Sequence, residues 1–269
     1  MPQSATISEV TAFLNEIAPF RFQESYDNSG LIVGNPNEVV KKALICLDCT
    51  EAVVEEAIQH GCNLVVAHHP IIFRGIKSIT GSNYVERVVI NAIKHNIAIF
   101  AIHTNLDNVY YHGVNAKIAE KIGLLNTAVL KVNSTHHSKE MPVGSGLIGE
   151  LPYAMDSLSF LAYLKEKMEL NIIRHTATID KKVSKVALCG GAGSFLLQDA
   201  RQAGAQAYIS ADFKYHEFFD AENDIIIADI GHYESERFTI DLLFDLISDK
   251  FTNFAALKTK VITNPVFYH

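Results

Sequence analysis

The sequence is poor in cysteine, in basic charge and in long apolar runs, and each shortage removes a class of protein. Four cysteines in 269 residues are too few for a disulfide framework. Lys and Arg number 23 against 30 Asp and Glu, which leaves a net charge of −7. A duplex nucleic-acid binder carries a basic excess, so nucleic acid is not an expected partner. Apolar runs such as 97–102 are about a strand long, far short of the ~20 residues that span a bilayer. The opening MPQSATISEV has no basic region followed by an apolar stretch, so no secretory signal is expected. No stretch is low in complexity. These shortages point to a cytoplasmic, reduced protein that does not enter a membrane. At roughly 100–200 residues per domain, the chain fits one large domain or two small ones. What it has in quantity is histidine: twelve, several of them at the ends of apolar runs.

The periodicity alternates between strand and helix. Val10, Phe13, Leu14 and Ile17 share one helical face, so 8–18 reads as a helix closed by Pro19. A polar, glycine-containing loop is expected over 23–36. Strand 42–47, helix 50–60 with Gly61 as its C-cap, strand 64–67, helix 84–95 and strand 97–102 follow. A helix over 113–122 ends at Gly123, and strands frame 128–133 and 146–151. Helix 155–168 and strand 170–176 come next. The alternation then resumes with strand 183–188, helix 194–203, strand 207–210, helix 215–221 and strand 224–228. A long helix is expected over 234–251 and a last strand over 260–263. This is the pattern of an α/β fold with largely parallel pairing.

The chain also repeats itself. A shift of 143 positions lays Cys46 on Cys189, Gly61 on Gly204 and His68 on Ala211. Further on the shift is 129, which lays His103 on His232. Two related α/β halves are expected, 1–125 and 126–269.

Three segments share one design: LVVAHHP over 64–70, IFAIHTNLD over 99–107 and IIIADIGHYESE over 225–236. Each is a buried strand whose carboxyl end delivers histidine and carboxylate side chains, the place where α/β sheets bind ligands. Imidazole and carboxylate together suit zinc, iron, manganese or nickel. His232 and Glu236 are four apart and share a helix face. His68 and His69 are adjacent, so they serve one ion only if the backbone turns there; otherwise they serve two. Pro70 favours such a turn.

These segments, with YDNSG over 26–30, LIVG over 31–34, LDCT over 47–50, GGAG over 190–193 and DFKYH over 212–216, resemble the GTP cyclohydrolase 1 type 2 homologues. That family is also called the NGG-interacting-factor-three-like proteins. The resemblance covers most of the chain. It implies two interlinked α/β halves, a metal site at the carboxyl ends of the strands between them, and a toroidal homohexamer. It implies two divalent metal ions per chain, with zinc, iron or manganese expected, held by His68, His69, Asp107, His232 and Glu236, the last one bridging. The stretch 126–182 is too short for the inserted domain that some members carry.

Two classes of function follow. In one, the protein is a metal-dependent hydrolase of a phosphorylated or nucleotide-like small molecule, with His103 as a catalytic proton carrier or as a residue that supports the metal ligands from behind. In the other, it binds or delivers metal, or acts as a regulatory scaffold, without turnover. The remaining motifs carry less. Cys46-x-x-Cys49 has redox spacing but sits in an apolar pattern that suits core packing. The glycines at 190–193 fit either tight packing or an anion site. Lys214 and His216 are expected to face the site, and His136 and His137 to lie in a solvated loop.

Overall fold

The computed structural model of the chain describes residues 4–269. Its elements in chain order begin with α1 (Ile7–Ile17), β1 (Gly30–Val33), β2 (Lys42–Asp48), α2 (Glu51–His60), β3 (Leu64–His69), α3 (Tyr84–Lys94), β4 (Ala98–Ala101) and α4 (Thr104–Asn108). They continue with α5 (Val114–Ile122), β5 (Leu125–Val132), β6 (Gly144–Met155), α6 (Ser157–Lys167), β7 (Arg174–His175), β8 (Val183–Ala192) and α7 (Leu197–Gln202). The last are β9 (Ala207–Ala211), β10 (Ile226–Asp229), α8 (His232–Glu236), α9 (Thr239–Lys250) and β11 (Ala255–Lys258). Local chemistry fixes many of the ends. Thr6 and Glu9 form a reciprocal capping box on α1. Thr50 caps α2, which stops at Gly61 in the left-handed conformation, φ 68°.

The fold is mixed α/β with two sheets, and the chain divides into two compact units. One unit takes the chain up to Leu106 together with Thr239–His269. Its sheet has the order β1-β4-β3-β2-β11. Strands β11, β2, β3 and β4 run parallel, and β1 closes the edge antiparallel to β4. Its core is built on Leu44, Val53, Val65, Val88 and Ile99. The other unit is Asp107–Phe238, with the sheet order β5-β6-β8-β9-β10-β7. Here β8, β9 and β10 are parallel, while β7, β6 and β5 are antiparallel additions. Its core is built on Ala187, Leu196, Tyr208, Ile225 and Ile227.

The repeat in the sequence is a repeat in the pairing. Ala43 opposes Leu64 and Leu44 opposes Val65; 143 positions on, Val186 opposes Ala207 and Ala187 opposes Tyr208. Likewise Leu64 opposes Ala98, and Ala207 opposes Ile226. In both sheets an antiparallel edge strand precedes three parallel ones in the chain. In both, a five-residue helix follows the third, α4 after β4 and α8 after β10.

The units are not the consecutive halves 1–125 and 126–269 expected above. After α4 the chain enters the second unit, where α5 packs against β8. After α8 it returns to the first, where α9 packs against β2 and β11 pairs with β2. Other expectations shift locally. The loop over 23–36 contains β1, a short edge strand. The helix over 234–251 is interrupted between Glu236 and Thr239. The last strand is Ala255–Lys258 and not 260–263, because it is there that the chain meets β2. Only Arg174–His175 of 170–176 pairs, and 215–221 is a 3-10 helix. Among the described residues no helix is long and apolar enough to cross a membrane.

Candidate metal centre

In the first unit, β3 ends on His68 and His69, and β4 leads to His103. The three imidazoles gather with ring centroids 4.8 Å (His68–His69), 5.3 Å (His68–His103) and 5.2 Å (His69–His103) apart. One ligand atom from each lies within 4.8 Å of the others, so this group can hold a metal ion. The strand end therefore does bring the two adjacent histidines together.

Each ring is anchored through Nδ1 to an oxygen. His68, fully buried, donates to the carbonyl of Ile102 at 2.8 Å. Nδ1 of His69 lies 2.8 Å from Oδ1 of Asp48, and Nδ1 of His103 lies 2.8 Å from Oδ1 of Asp27. An oxygen acceptor holds the proton on Nδ1 and makes Nε2 the basic nitrogen, the arrangement of metal-binding histidines. The anchors are themselves held. The second oxygen of Asp48 accepts from the Thr263 hydroxyl at 2.6 Å. Asp27 accepts from Ser29 Oγ and from the backbone N–H and hydroxyl of Thr104. Burial pushes the Asp27 carboxyl up, but His103 and these donors outweigh burial and hold it far below the usual carboxylate range.

In the second unit, α8 opens at Gly231 and puts His232 and Glu236 one turn apart, Nε2 to Oε2 3.1 Å. Asp212, just after β9, reaches Nδ1 of His232 at 2.8 Å. Burial pushes the His232 pKa down, yet the hydrogen bonds and charges of Asp212 and Glu236 raise it to about 11. Glu236 is only 3% exposed, and a ligand oxygen of Asp107 lies within 4.8 Å of one of its own. Two carboxylates that close repel unless a cation or proton separates them. The donor set of imidazole Nε2 and carboxylate oxygen fits a divalent transition metal.

The glycines of the GGAG motif serve this corner. Gly190 and Gly191 lie in the last part of β8, and Gly193 follows it. Gly191 has φ 61°, and a Cβ there would come within 2.4 Å of Oε1 of Glu236. Its N–H donates to Ser235 Oγ at 2.9 Å. Buried Asp229 braces both sides of the Asp212–His232 pair, accepting from the N–H groups of Phe213 and Gly231 and from Arg174.

Lys214 and His216 do not join these residues. Both are exposed, and His216 stacks on Phe219. Val143 N–H donates to Nδ1 of His137, which lies in a surface loop with His136. Cys46 and Cys49 are buried and unlinked; burial pushes both thiols up, Cys49 to about 12. That is the opposite of a reactive thiol. A cavity of about 500 Å³ in the second unit is lined by Arg174, Tyr215, Phe218 and Phe219, and none of the candidate ligands lines it.

Asp27, Asp48 and Asp212, which hold Nδ1 of His103, His69 and His232, are the residues around the candidate centre that sequence reasoning missed. All three stand inside motifs quoted above, but nothing in their spacing assigns them to a particular histidine.

Known proteins match the chain along nearly its whole length. A Clostridium perfringens protein named GTP cyclohydrolase 1 type 2 homolog is 32% identical over 231 residues, 86% of this chain and 86% of its own. A Streptococcus pneumoniae protein of the same name is 31% identical over 272 residues, covering 97% of this chain and 98% of that one. A solved Staphylococcus aureus structure, described as a hypothetical protein, has a TM-score of 0.90 at 27% identity, with 99% of this chain and 100% of that one covered. The family described as Duf34/NIF3 (NGG1p interacting factor 3) matches residues 5–265, and this chain belongs to it.

Proposed function

We propose that the chain binds two divalent metal ions, from among zinc, iron and manganese, through His68, His69, Asp107, His232 and Glu236. We propose further that it uses them to hydrolyse a phosphorylated or nucleotide-like small molecule. The observation that carries the reading is that His68, His69 and His232 each have Nδ1 on an oxygen acceptor. At these three imidazoles Nδ1 is thereby taken by an acceptor, and Nε2 is the nitrogen left to face a metal, which at His232 would replace the proton held against Glu236. Glu236 is the carboxylate proposed to be shared by the ions. When bound, such a pair lowers the pKa of a water and clamps a polar substrate.

The chain's own part is to position and to move protons. Asp27 holds Nδ1 of His103 in the same way, so its Nε2 accepts a proton from water and returns it to a leaving group. Asp48 and Asp212 stop their imidazoles from rotating. The names of the relatives agree with a nucleotide-like substrate without fixing it.

The protein is proposed to work in the cytoplasm as a homohexameric ring. Tyr215 and Phe219, 73% and 65% exposed, are apolar surface of the kind that an interface covers. Light scattering at micromolar concentration decides between ring and monomer.

Elemental analysis of untagged protein tests the centre, and a screen of phosphoesters, nucleotides and cyclic amides tests the reaction. About two ions per chain are expected, with turnover lost in Asp107→Ala. Stoichiometry near zero in a folded, reconstituted protein overturns the centre. Full metal content without turnover overturns the hydrolase and supports metal delivery or a scaffold.

A further inference from the structure

The C-terminal segment after β11 reaches the candidate centre at Thr263. Thr259 N–H donates to the carbonyl of Ile45, 2.9 Å away. Its hydroxyl donates to Glu56 on α2, and Lys260 N–H donates to the other oxygen of that carboxylate at 2.9 Å. Four residues on, the Thr263 hydroxyl donates to Oδ2 of Asp48 at 2.6 Å, and Oδ1 of the same carboxylate holds Nδ1 of His69 at 2.8 Å. Thr263, Asp48 and His69 thus form one chain of hydrogen bonds that begins in the tail and ends on an imidazole.

We infer that Thr263 is a positioning residue for metal at His69, acting through Asp48, and that the tail sets how tightly that ion is held. The inference rests on the reading of His69 as a ligand. The physical reason is geometric. An aspartate bonded only to His69 can rotate about its side-chain torsions and carry the imidazole with it. A donor on the second oxygen removes that freedom, because both oxygens are then aimed by fixed partners. The donor also spares the carboxylate the cost of an unmatched oxygen, since Asp48 is only partly exposed to water. The Glu56 clamp at Thr259 and Lys260 makes the arrangement durable: it ties the tail to α2 before Thr263 reaches across. Cys49, the neighbour of Asp48, is buried and adds no polar atom that duplicates the threonine.

The experiment measures zinc release from zinc-loaded protein to a chromophoric chelator, with thermal unfolding recorded in parallel. Thr263→Val keeps the shape and removes the hydroxyl; Thr263→Ser restores it. Zinc release about 10-fold faster in Thr263→Val, near the wild-type rate in Thr263→Ser, and with an unchanged unfolding temperature, is expected. Asp48→Asn, which weakens the same chain from the middle, should release zinc at least as fast as Thr263→Val. Equal release from wild type and Thr263→Val, with His69→Ala losing an ion, overturns the inference and leaves the metal centre standing. Zinc bound by neither wild type nor His69→Ala overturns both. A Thr263→Val rate that Thr263→Ser does not rescue assigns the effect to packing of the tail and also overturns the inference.

Discussion

Asp212 reaches Nδ1 of His232 at 2.8 Å from a left-handed backbone, φ 58°. Aspartate and asparagine tolerate that conformation better than other non-glycine residues. Asp212→Asn therefore keeps the backbone and an acceptor for Nδ1 while deleting a charge. The expected result is an unchanged unfolding temperature with metal held about 10-fold more weakly, read by competition with a chelator. Unaltered affinity would show that the charge of Asp212 plays no part.

Glu236 and Glu234 separate the proposed ligand from its neighbour on the same short helix. Glu236→Gln keeps size and removes the negative charge that balances two dications. Occupancy should fall towards one ion per chain, and any hydrolysis at least tenfold, about 1.4 kcal/mol. Glu234→Gln should be nearly silent in both measurements. Similar behaviour of the two variants would mean that the ligand is misassigned.

Gly191 and Gly204 both have positive φ, 61° and 77°, but differ in what an added methyl would meet. Either alanine strains the backbone by roughly 1–2 kcal/mol. At Gly204 nothing lies within 4 Å, so that strain should be the whole effect. Gly191→Ala must also displace the Glu236 carboxylate. Elemental analysis should find metal lost in Gly191→Ala and kept in Gly204→Ala.

Glu86 gathers the segment that follows His69 and Pro70. Its carboxylate accepts from the N–H and hydroxyl groups of Thr80 and Ser82 and from the Asn83 amide. The backbone donors of Thr80 and Ser82 are the chief cause of its lowered pKa, about 2. A depressed folded pKa gives stability that is complete above the unfolded value, near 4.5, and lost as pH falls towards 2. Glu86→Gln should therefore lower the denaturation midpoint at pH 7, and the gap to wild type should narrow below about pH 4.5. A gap independent of pH would assign the effect to shape and not to charge.

Cys46 and Cys49 should behave as core. The double alanine variant is expected to keep its metal and lose about 1 kcal/mol of stability per site, by chemical denaturation. Loss of metal with the fold intact would return the pair to the site.

The strands that carry His68 and His69 and lead to His103 and His232 are legible in the sequence because buried β-strands at an α/β core read as unbroken apolar runs. Their histidines stand out at the ends of those runs, and the repeat shows in the spacing of Cys46 and Cys189. The anchors do not stand out. Asp27 lies 76 positions from His103, and Asp48 21 from His69; only folding pairs them. Strands β1 and β11 were hidden for a related reason. Each is four residues long at a sheet edge and incompletely buried, so neither shows the apolar run of a central strand. The break in the helix over 234–251 was masked because its apolar spacing continues through Phe238, where the chain passes from one unit to the other.

That passage has a consequence for synthesis. A ribosome releases the first sheet's central strands early but its last strand, Ala255–Lys258, only after the whole of Asp107–Phe238, which emerges as one uninterrupted block. A nascent chain that has reached Phe238 holds everything the later block needs to close. It still leaves Lys42–Asp48 as an open edge, able to pair with a neighbouring nascent chain until the missing strand arrives. The older part of the polypeptide is therefore the last to be finished.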